Sequence, residues 1–336
     1  LEHEKTLVIE VIAMAQQALQ PMREVTLPDE YIESARRYVN ASKATGTRRM
    51  YESAWAGFET YCHEHTWPAL PASVNAVAAY LTALADEGQK ASTIQVKASA
   101  ISFMHDGAKL PNPIKTQEIR ALMAGIRRTI GTAQQGKAPI GLAEVKRIVA
   151  ALPDDLRAKR DKALLLLGFA GAFRRSELVA LEVSDIRFND VKATITLRRS
   201  KTDQEGAGKI KTIPMLADES LCPVVALRQW LDAAGINKGI VFRGIDKWGH
   251  VHDGQMAGIE VARVVKARAT AAGLDPRQFA GHSLRAGYVT ECAAKDVPTW
   301  QIMEQTGHTS EKTLRKYIRD EGLGAMNATK AAFNEG

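Results

Sequence analysis

The first third of the chain places apolar residues at helical spacing. Tyr51, Ala54, Trp55, Phe58, Tyr61 and Cys62 recur at i, i+3, i+4 and i+7, which predicts one apolar stripe on a helix capped by Thr47. Arg48 and Arg49 start that helix beside the stripe, placed to face solvent or a ligand. Ser73 opens a second helix with Val74, Val77, Ala78, Leu81 and Leu84 on one face, closed by Gly88. Ser92 followed by Gln95 reads as the capping box of a third helix. It buries Ile94, Ala98, Ile101 and Met104 and leaves Thr93, Gln95, Lys97 and Ser99 off the stripe. Pro111 and Pro113 end this stretch, and one more helix is expected over 115–130. The polar segment from Gly131 to Pro139 has no periodicity and reads as a linker.

Beyond the linker the pattern is mixed. Residues 142–152 are amphipathic, and 163–169 are apolar all round, as in a helix at the centre of a domain. Gly171 breaks that helix, and a short one follows over 176–181. The alternation Ala193-Thr-Ile-Thr-Leu197 is answered by Ile210-Lys-Thr-Ile213 across a Gly-rich connection, which predicts a β-hairpin. From Pro223 onward the pattern is helical again. Pro298 sits well as the first residue of a helix through Gln305 that Gly307 stops, and another helix is expected over 311–318. The Ala-rich tail from Glu321 could form one more.

Length agrees with this division, since 336 residues at about 150 per domain suggest two domains. The expected boundaries are an N-terminal segment 1–24 of open role, a helical domain 25–130, a linker 131–139 and a mixed domain 140–336. The composition, 45% hydrophobic and 25% charged, excludes a disordered or collagen-like chain. Three distant cysteines, Cys62, Cys222 and Cys292, do not make a disulfide framework. No apolar run is long enough to span a bilayer, so no membrane is expected and a soluble, cytoplasmic protein is. Lys and Arg total 45 against 38 Asp and Glu, a net charge of +7. The first 136 residues are balanced at 14 of each sign, so the whole excess belongs to the second domain. That points weakly to a polyanion.

Several chemistries are absent from the motifs. There is no GxxxxGKS/T loop, no HExxH, no GxSxG and no Cys-x-x-Cys. His63 with His65, and His250 with His252, lack further ligands at standard spacing, so neither a metal nor a cofactor is expected. What remains is a polar set in the second domain. It comprises Arg174-Arg-Ser-Glu177 after the central helix, Lys201 in the hairpin, His282-Ser-Leu-Arg285, His308 after Gly307, and Tyr317. Singly, each reads as a surface ion pair, a solvated lysine or a packed aromatic. Together they suit phosphodiester cleavage without a metal. Two guanidinium groups can grip the oxygens of one phosphate, a Tyr hydroxyl can attack with imidazole as base, and a lysine can protonate the departing sugar oxygen.

Gly171-Ala-Phe-Arg-Arg-Ser-Glu-Leu-Val-Ala-Leu181, Ser200-Lys-Thr-Asp-Gln204, Gly281-His-Ser-Leu-Arg-Ala-Gly287, and Gly307-His-Thr-Ser310 with Leu314-Arg-Lys-Tyr-Ile-Arg319 resemble, in order and spacing, the boxes of the tyrosine site-specific recombinases of the phage integrase family. Residues 91–113 resemble the N-terminal domain of its Cre branch. The resemblance implies a mainly α fold with a small antiparallel β-sheet, in which an α+β catalytic domain and an all-α, SAM-like core-binding domain form a C-shaped DNA clamp. It implies Arg174 and Arg285 as the phosphate-binding arginines, Glu177 as their orienting carboxylate, and Lys201 as general acid. His282 pairs with Arg285 at the phosphate, His308 donates a hydrogen bond to it, and Tyr317 becomes a 3′-phosphotyrosine. Lys209 and Lys211 lie in the same hairpin and compete with Lys201 for the acid role.

The resemblance also implies double-stranded DNA as partner, strand exchange through a Holliday junction, and a homotetramer on two sites, reached from a monomer or dimer per site. The tail is expected to dock into a neighbouring protomer, and the protein to work at the bacterial nucleoid. Thr93, Gln95, Lys97 and Ser99 are the expected base readers, and Arg48, Arg49, Arg198, Arg199, Arg243, Lys247 and Arg263 the expected backbone contacts. Two other readings share the scaffold. One is a nicking-closing enzyme like the type IB topoisomerases; the other is a silent DNA-binding protein, against which the intact polar set argues.

Overall fold

The computed structural model describes residues 45–133, 136–198, 208–311 and 314. The chain divides into two compact units between Ala133 and Gln134.

In the first unit, helices α1 (Thr45–Glu64), α2 (Val74–Asp86), α3 (Ala91–Gly107) and α4 (Gln117–Ile130) enclose one core. The α1 stripe is realised, with Phe58 and Cys62 fully buried, Ala54 and Trp55 nearly so, and Tyr51 and Tyr61 at its margin. Ser73 caps α2 by accepting from the Ala76 N–H at 3.1 Å. Two expected helix starts move. Thr47 lies inside α1, and α3 begins at Ala91 with Lys90 before it, so Ser92 is already helical and makes no capping box. Burial of Ala91 and Ile94 sets that start, and packing overrides the local cap.

The second unit is built on α6 (Leu156–Ala170), whose N-cap Asp155 accepts from the Ala158 N–H at 2.7 Å. Its residues 163–167 are all buried. Helix α6 packs on α8 (Pro223–Ala233) and α10 (Ser283–Ala294), and also touches α5 (Leu142–Ala150), α7 (Arg175–Val179) and α9 (Gly258–Ala271). Strands β1 (Ile186–Phe188), β2 (Lys192–Leu197) and β3 (Lys209–Pro214) form an antiparallel sheet in that order, with Ala193 opposite Ile213 and Ile195 opposite Lys211. The last described helix is α11 (Thr299–Thr306).

One expectation fails after Pro223. The chain is not helical throughout, because β4 (Arg243–Ile245) and β5 (Val251–Gln255) pair as a second antiparallel ribbon. Glycines 244 and 254 and a mostly exposed β5 erase the alternation that would have announced it. Among the described residues, no helix is long and apolar enough to cross a membrane, and no group of His, Cys, Asp and Glu could hold a metal ion.

Candidate active site

Arg174 directly precedes α7, and one carboxylate fixes both its main chain and its side chain. Glu177 Oε2 accepts from the Arg174 N–H at 2.9 Å, while Oε1 accepts from Nη1 at 2.6 Å. With Glu177 only 5% exposed, this charge-assisted pair holds the guanidinium in one orientation. Arg174 Nη2 donates to the Gly307 carbonyl at 3.5 Å. Among the described residues, two of the roughly five N–H donors of a guanidinium are thus engaged.

Arg285 enters from the first turn of α10 and is 1% exposed. Its Nη1 donates to the Ala172 carbonyl at 2.7 Å and its Nη2 to His308 Nε2 at 3.0 Å. Two guanidinium groups from separate boxes of the sequence therefore meet on the adjacent residues Gly307 and His308. Gly307 ends α11 with φ +72 and ψ +34, a left-handed conformation that suits glycine, and so turns the chain to present His308.

The proton inventory of His308 follows from its partners. Thr306 Oγ donates its single hydrogen to the Ile302 carbonyl at 2.6 Å, so it accepts from His308 Nδ1–H at 2.8 Å. A guanidinium only donates, so Nε2 accepts from Arg285. The imidazole is neutral. Burial, then the charges of Arg285, Arg174, Lys211 and Lys209, push its pKa down to about 4 from the usual 6.5. Nε2 therefore carries no hydrogen and accepts from Arg285, so the donor role implied by the resemblance requires both a proton on Nε2 and Arg285 to turn away.

A folded-state pKa below the unfolded value means that the unfolded chain binds more protons between about pH 4 and 6.5. His308 therefore contributes stability above pH 6.5 that is lost as the pH falls through 4. Thermal melts across that window should show a shallower pH slope in His308→Gln than in the wild type, and identical slopes would show that another group carries the effect.

His282 is exposed at the start of α10, where Ser283 Oγ accepts from the Ala280 N–H at 2.9 Å. Lys209 is half-buried, and its Nζ lies 3.6 Å from where a Cβ on Gly307 would stand. Burial lowers its pKa, and Glu304, Arg285, Glu177 and Arg174 are its charged neighbours. Lys211 is 2% exposed and donates to the Gly171 and Gln305 carbonyls. Thr306 and the carbonyls of 170–172 were missed by sequence reasoning, since main-chain partners leave no residue signature. Lys201, Arg199, Tyr317 and the tail after Glu321 lie outside the described residues, as does most of the helix expected over 311–318.

The DNA-contact candidates fall into two groups. Arg48, Arg49, Thr93, Gln95, Lys247 and Arg263 are exposed. Of the others, Arg199 lies outside the described residues, and Lys97, Ser99, Arg243 and Arg198, the last itself exposed, are engaged within their own units. Lys97 Nζ donates to the Tyr80 hydroxyl at 3.2 Å, and Ser99 Oγ to the Gln95 carbonyl at 2.8 Å. Arg198 pairs with Asp185 at 2.6 Å and Glu182 at 3.1 Å. Arg243 bonds the Ile240 and Lys238 carbonyls and the Asp253 carboxylate, with its side chain 14% exposed.

Residues 140–322 match the model of the Phage integrase family, a stretch that contains all the quoted boxes. The chain is similar to the integrase/recombinase xerD homolog of Selenomonas ruminantium, with 40% identity over 306 residues covering 90% of this chain and 89% of that protein. It is also similar to the recombinase cre of Escherichia phage P1, with 23% identity over 301 residues covering 83% and 86%. In fold it is similar to a lambda integrase solved as a tetramer bound to a Holliday junction, with a TM-score of 0.58 and 18% identity, covering 92% of this chain and 81% of that one. With more than half of the chain matched and the two arginines meeting on the Gly307–His308 turn, the chain belongs to the phage integrase family and is a tyrosine recombinase.

Proposed function

We propose that this recombinase cleaves and rejoins duplex DNA at inverted-repeat sites through a covalent 3′-phosphotyrosine at Tyr317 and a Holliday junction. The observation that carries the reading is the meeting of Arg174 and Arg285 on the Gly307–His308 turn, which builds a cationic cradle for one phosphate. Two guanidinium groups neutralise the charge that would repel an incoming phenolate. A phenol with an ordinary pKa of about 10 needs those cations and a base, for which exposed His282 is the candidate. Attack by the Tyr317 oxygen on phosphorus expels the 5′ oxygen of the next nucleotide, which takes a proton from Lys201. One phosphodiester replaces another, so the 5′-OH of a partner strand can reverse the step without ATP or a metal.

Exchange between two sites needs four such centres, hence a homotetramer assembled on two duplexes. The lambda integrase relative solved on a Holliday junction supports that assembly. The tail after Glu321 is the candidate link between protomers. An apolar groove of about 640 Å³, lined by Leu166, Phe169, Leu216, Leu221 and Tyr288 beside Gln305, supports a seat for it. In this reading residues 25–130 are the core-binding domain, 140–336 the catalytic domain, and the substrate is nucleoid DNA in the cytoplasm. Exposed Arg48, Arg49, Lys247 and Arg263 supply phosphate contacts, and Thr93 and Gln95 read bases.

The test is covalent trapping. A duplex selected by the protein from a random-sequence pool, nicked beside the scissile position, should give a protein–DNA adduct that survives denaturant. No adduct on any selected duplex would overturn the proposal. Relaxation of supercoiled plasmid without site preference would favour the nicking-closing reading instead.

A further inference from the structure

Two neighbouring residues of strand β3 sit the wrong way round for a strand on a core. Ile210 is 66% exposed, whereas Lys211 is 2% exposed. A buried ammonium survives only with partners, and here they are two main-chain carbonyls. Lys211 Nζ donates to the Gly171 carbonyl at 2.6 Å and to the Gln305 carbonyl, and lies 5.0 Å from the centre of the Phe173 ring. Gly171 follows α6 and Gln305 belongs to the last turn of α11. The last carbonyls of a helix lack intrahelical partners and form the negative end of its dipole, so two helix ends converge on one ammonium.

Both ends lead into the phosphate cradle. Three residues after Gly171 comes Arg174, and three after Gln305 comes His308. The carbonyls of Ala170, Gly171 and Ala172 are taken in succession by the side chains of Gln305, Lys211 and Arg285. Between them Ala172 holds φ at +46, which residues with a Cβ rarely adopt. The turn before Arg174 is thus held by side chains from β3, α10 and α11.

We propose that Lys211 is a positioning residue for strand cleavage, tying the approaches to Arg174 and His308 to one ammonium so that the two arms of the cradle keep their spacing. The proposal rests on the cradle reading above. The charged groups facing Lys211 are Glu177, Arg174, Arg285 and Lys209, with His308 near them. Burial is the main cause that pulls its pKa down to about 7, opposed by Glu177 and reinforced by the cations. A neutral amine still has hydrogens for both carbonyls but loses the charge that strengthens them. The tie is therefore strongest below pH 7 and weakens as the pH rises through it.

The experiment measures single-turnover adduct formation by the full chain on the selected nicked duplex from pH 6 to 9, with DNA affinity and thermal midpoint in parallel. Lys211→Met should slow cleavage about 30-fold or more, the scale of a displaced reacting group. Its DNA affinity should stay within about threefold, and its midpoint should fall only modestly, because removing a buried charge offsets part of the cost of leaving the Gly171 and Gln305 carbonyls without their donor. Lys211→Arg, which keeps the charge at all these pH values, should recover most of the rate and lose the decline near pH 7. Three results would overturn the proposal: Lys211→Met cleaving within about threefold of wild type, Lys211→Met losing midpoint and DNA affinity along with cleavage, or Lys211→Arg failing to recover the rate. An adduct absent from the wild type as well would overturn the cradle reading itself, and the proposal with it.

Discussion

Arg285→Ala will slow covalent adduct formation about 10³-fold while the selected duplex is still bound, and Tyr317→Phe will mark the zero of the same assay. The guanidinium of Arg285 does three things at once. In the proposed mechanism it places a cation against the phosphate, and in the structure it donates to the Ala172 carbonyl at 2.7 Å and to His308 Nε2 at 3.0 Å. Loss of one preorganised contact to a developing oxyanion costs roughly 10² to 10³ in rate, about 3–4 kcal/mol. The alanine also leaves a buried carbonyl without its donor, at a further cost of about 1–3 kcal/mol in stability. Arg285→Lys should fall between the two, because a lysine is a point charge and cannot reach Ala172 and His308 in one fixed fork. A cleavage loss under about tenfold would show that Arg285 is not at the phosphate. Equal losses of binding and cleavage would show that its role is uniform attraction of DNA.

The helical first unit was legible because its apolar residues repeat at 3.6 and its core is made of one stripe per helix. The boxes around Arg174, Arg285 and His308 were legible for a different reason. Their order and spacing resemble the boxes of the phage integrase family, and the stretch that matches that family contains them all. Lys201 and Tyr317 rest on that sequence argument. Local signals failed where tertiary contacts outvoted them. Ser92 looks like a cap, yet burial of Ala91 starts α3 earlier. In the β4–β5 ribbon, β5 is mostly exposed, β4 is partly buried throughout and each strand contains a glycine, so there is no alternation to read. Lys211 was one of three lysines in a hairpin until strand register put it inside, opposite Ile195 and two residues before buried Ile213. A charged residue at an inward position breaks the local rule, and such breaks gather where function demands them.

Gly287→Ala will destabilise the second unit by about 3 kcal/mol or more, a fall of roughly 6–12 °C in its unfolding midpoint at about 2–4 °C per kcal/mol for a unit of this size. A Cβ built on Gly287 would stand 1.7 Å from the Ile140 carbonyl oxygen, 2.4 Å from its carbon and 3.1 Å from its nitrogen. All three atoms are main chain, so no side-chain rotation relieves the clash. Residues 137–142 lie as a strap across the segment that carries the arginine box. Lys137 Nζ donates to the Arg277 carbonyl at 2.7 Å, Ala138 N–H to Gln278 at 2.8 Å, Ile140 N–H to Ser283 at 2.9 Å and Leu142 N–H to the Glu291 carboxylate at 2.7 Å. Peeling the strap away would give up these bonds, each worth about 1 kcal/mol, and expose the fully buried Ile140, worth about 2 kcal/mol. Keeping the strap would instead push α10 aside, and α10 carries Arg285 two residues before Gly287. Cleavage should therefore fall further than DNA binding. Gly125→Ala is the control: it lies in α4 with nothing within 4 Å of an added Cβ, so it should stabilise by about 0.5–1 kcal/mol through helix propensity alone. If Gly287→Ala left the midpoint unchanged, the strap would be shown to yield at no cost, and the positioning of Arg285 would have to come from the Ala172 carbonyl and His308 without it.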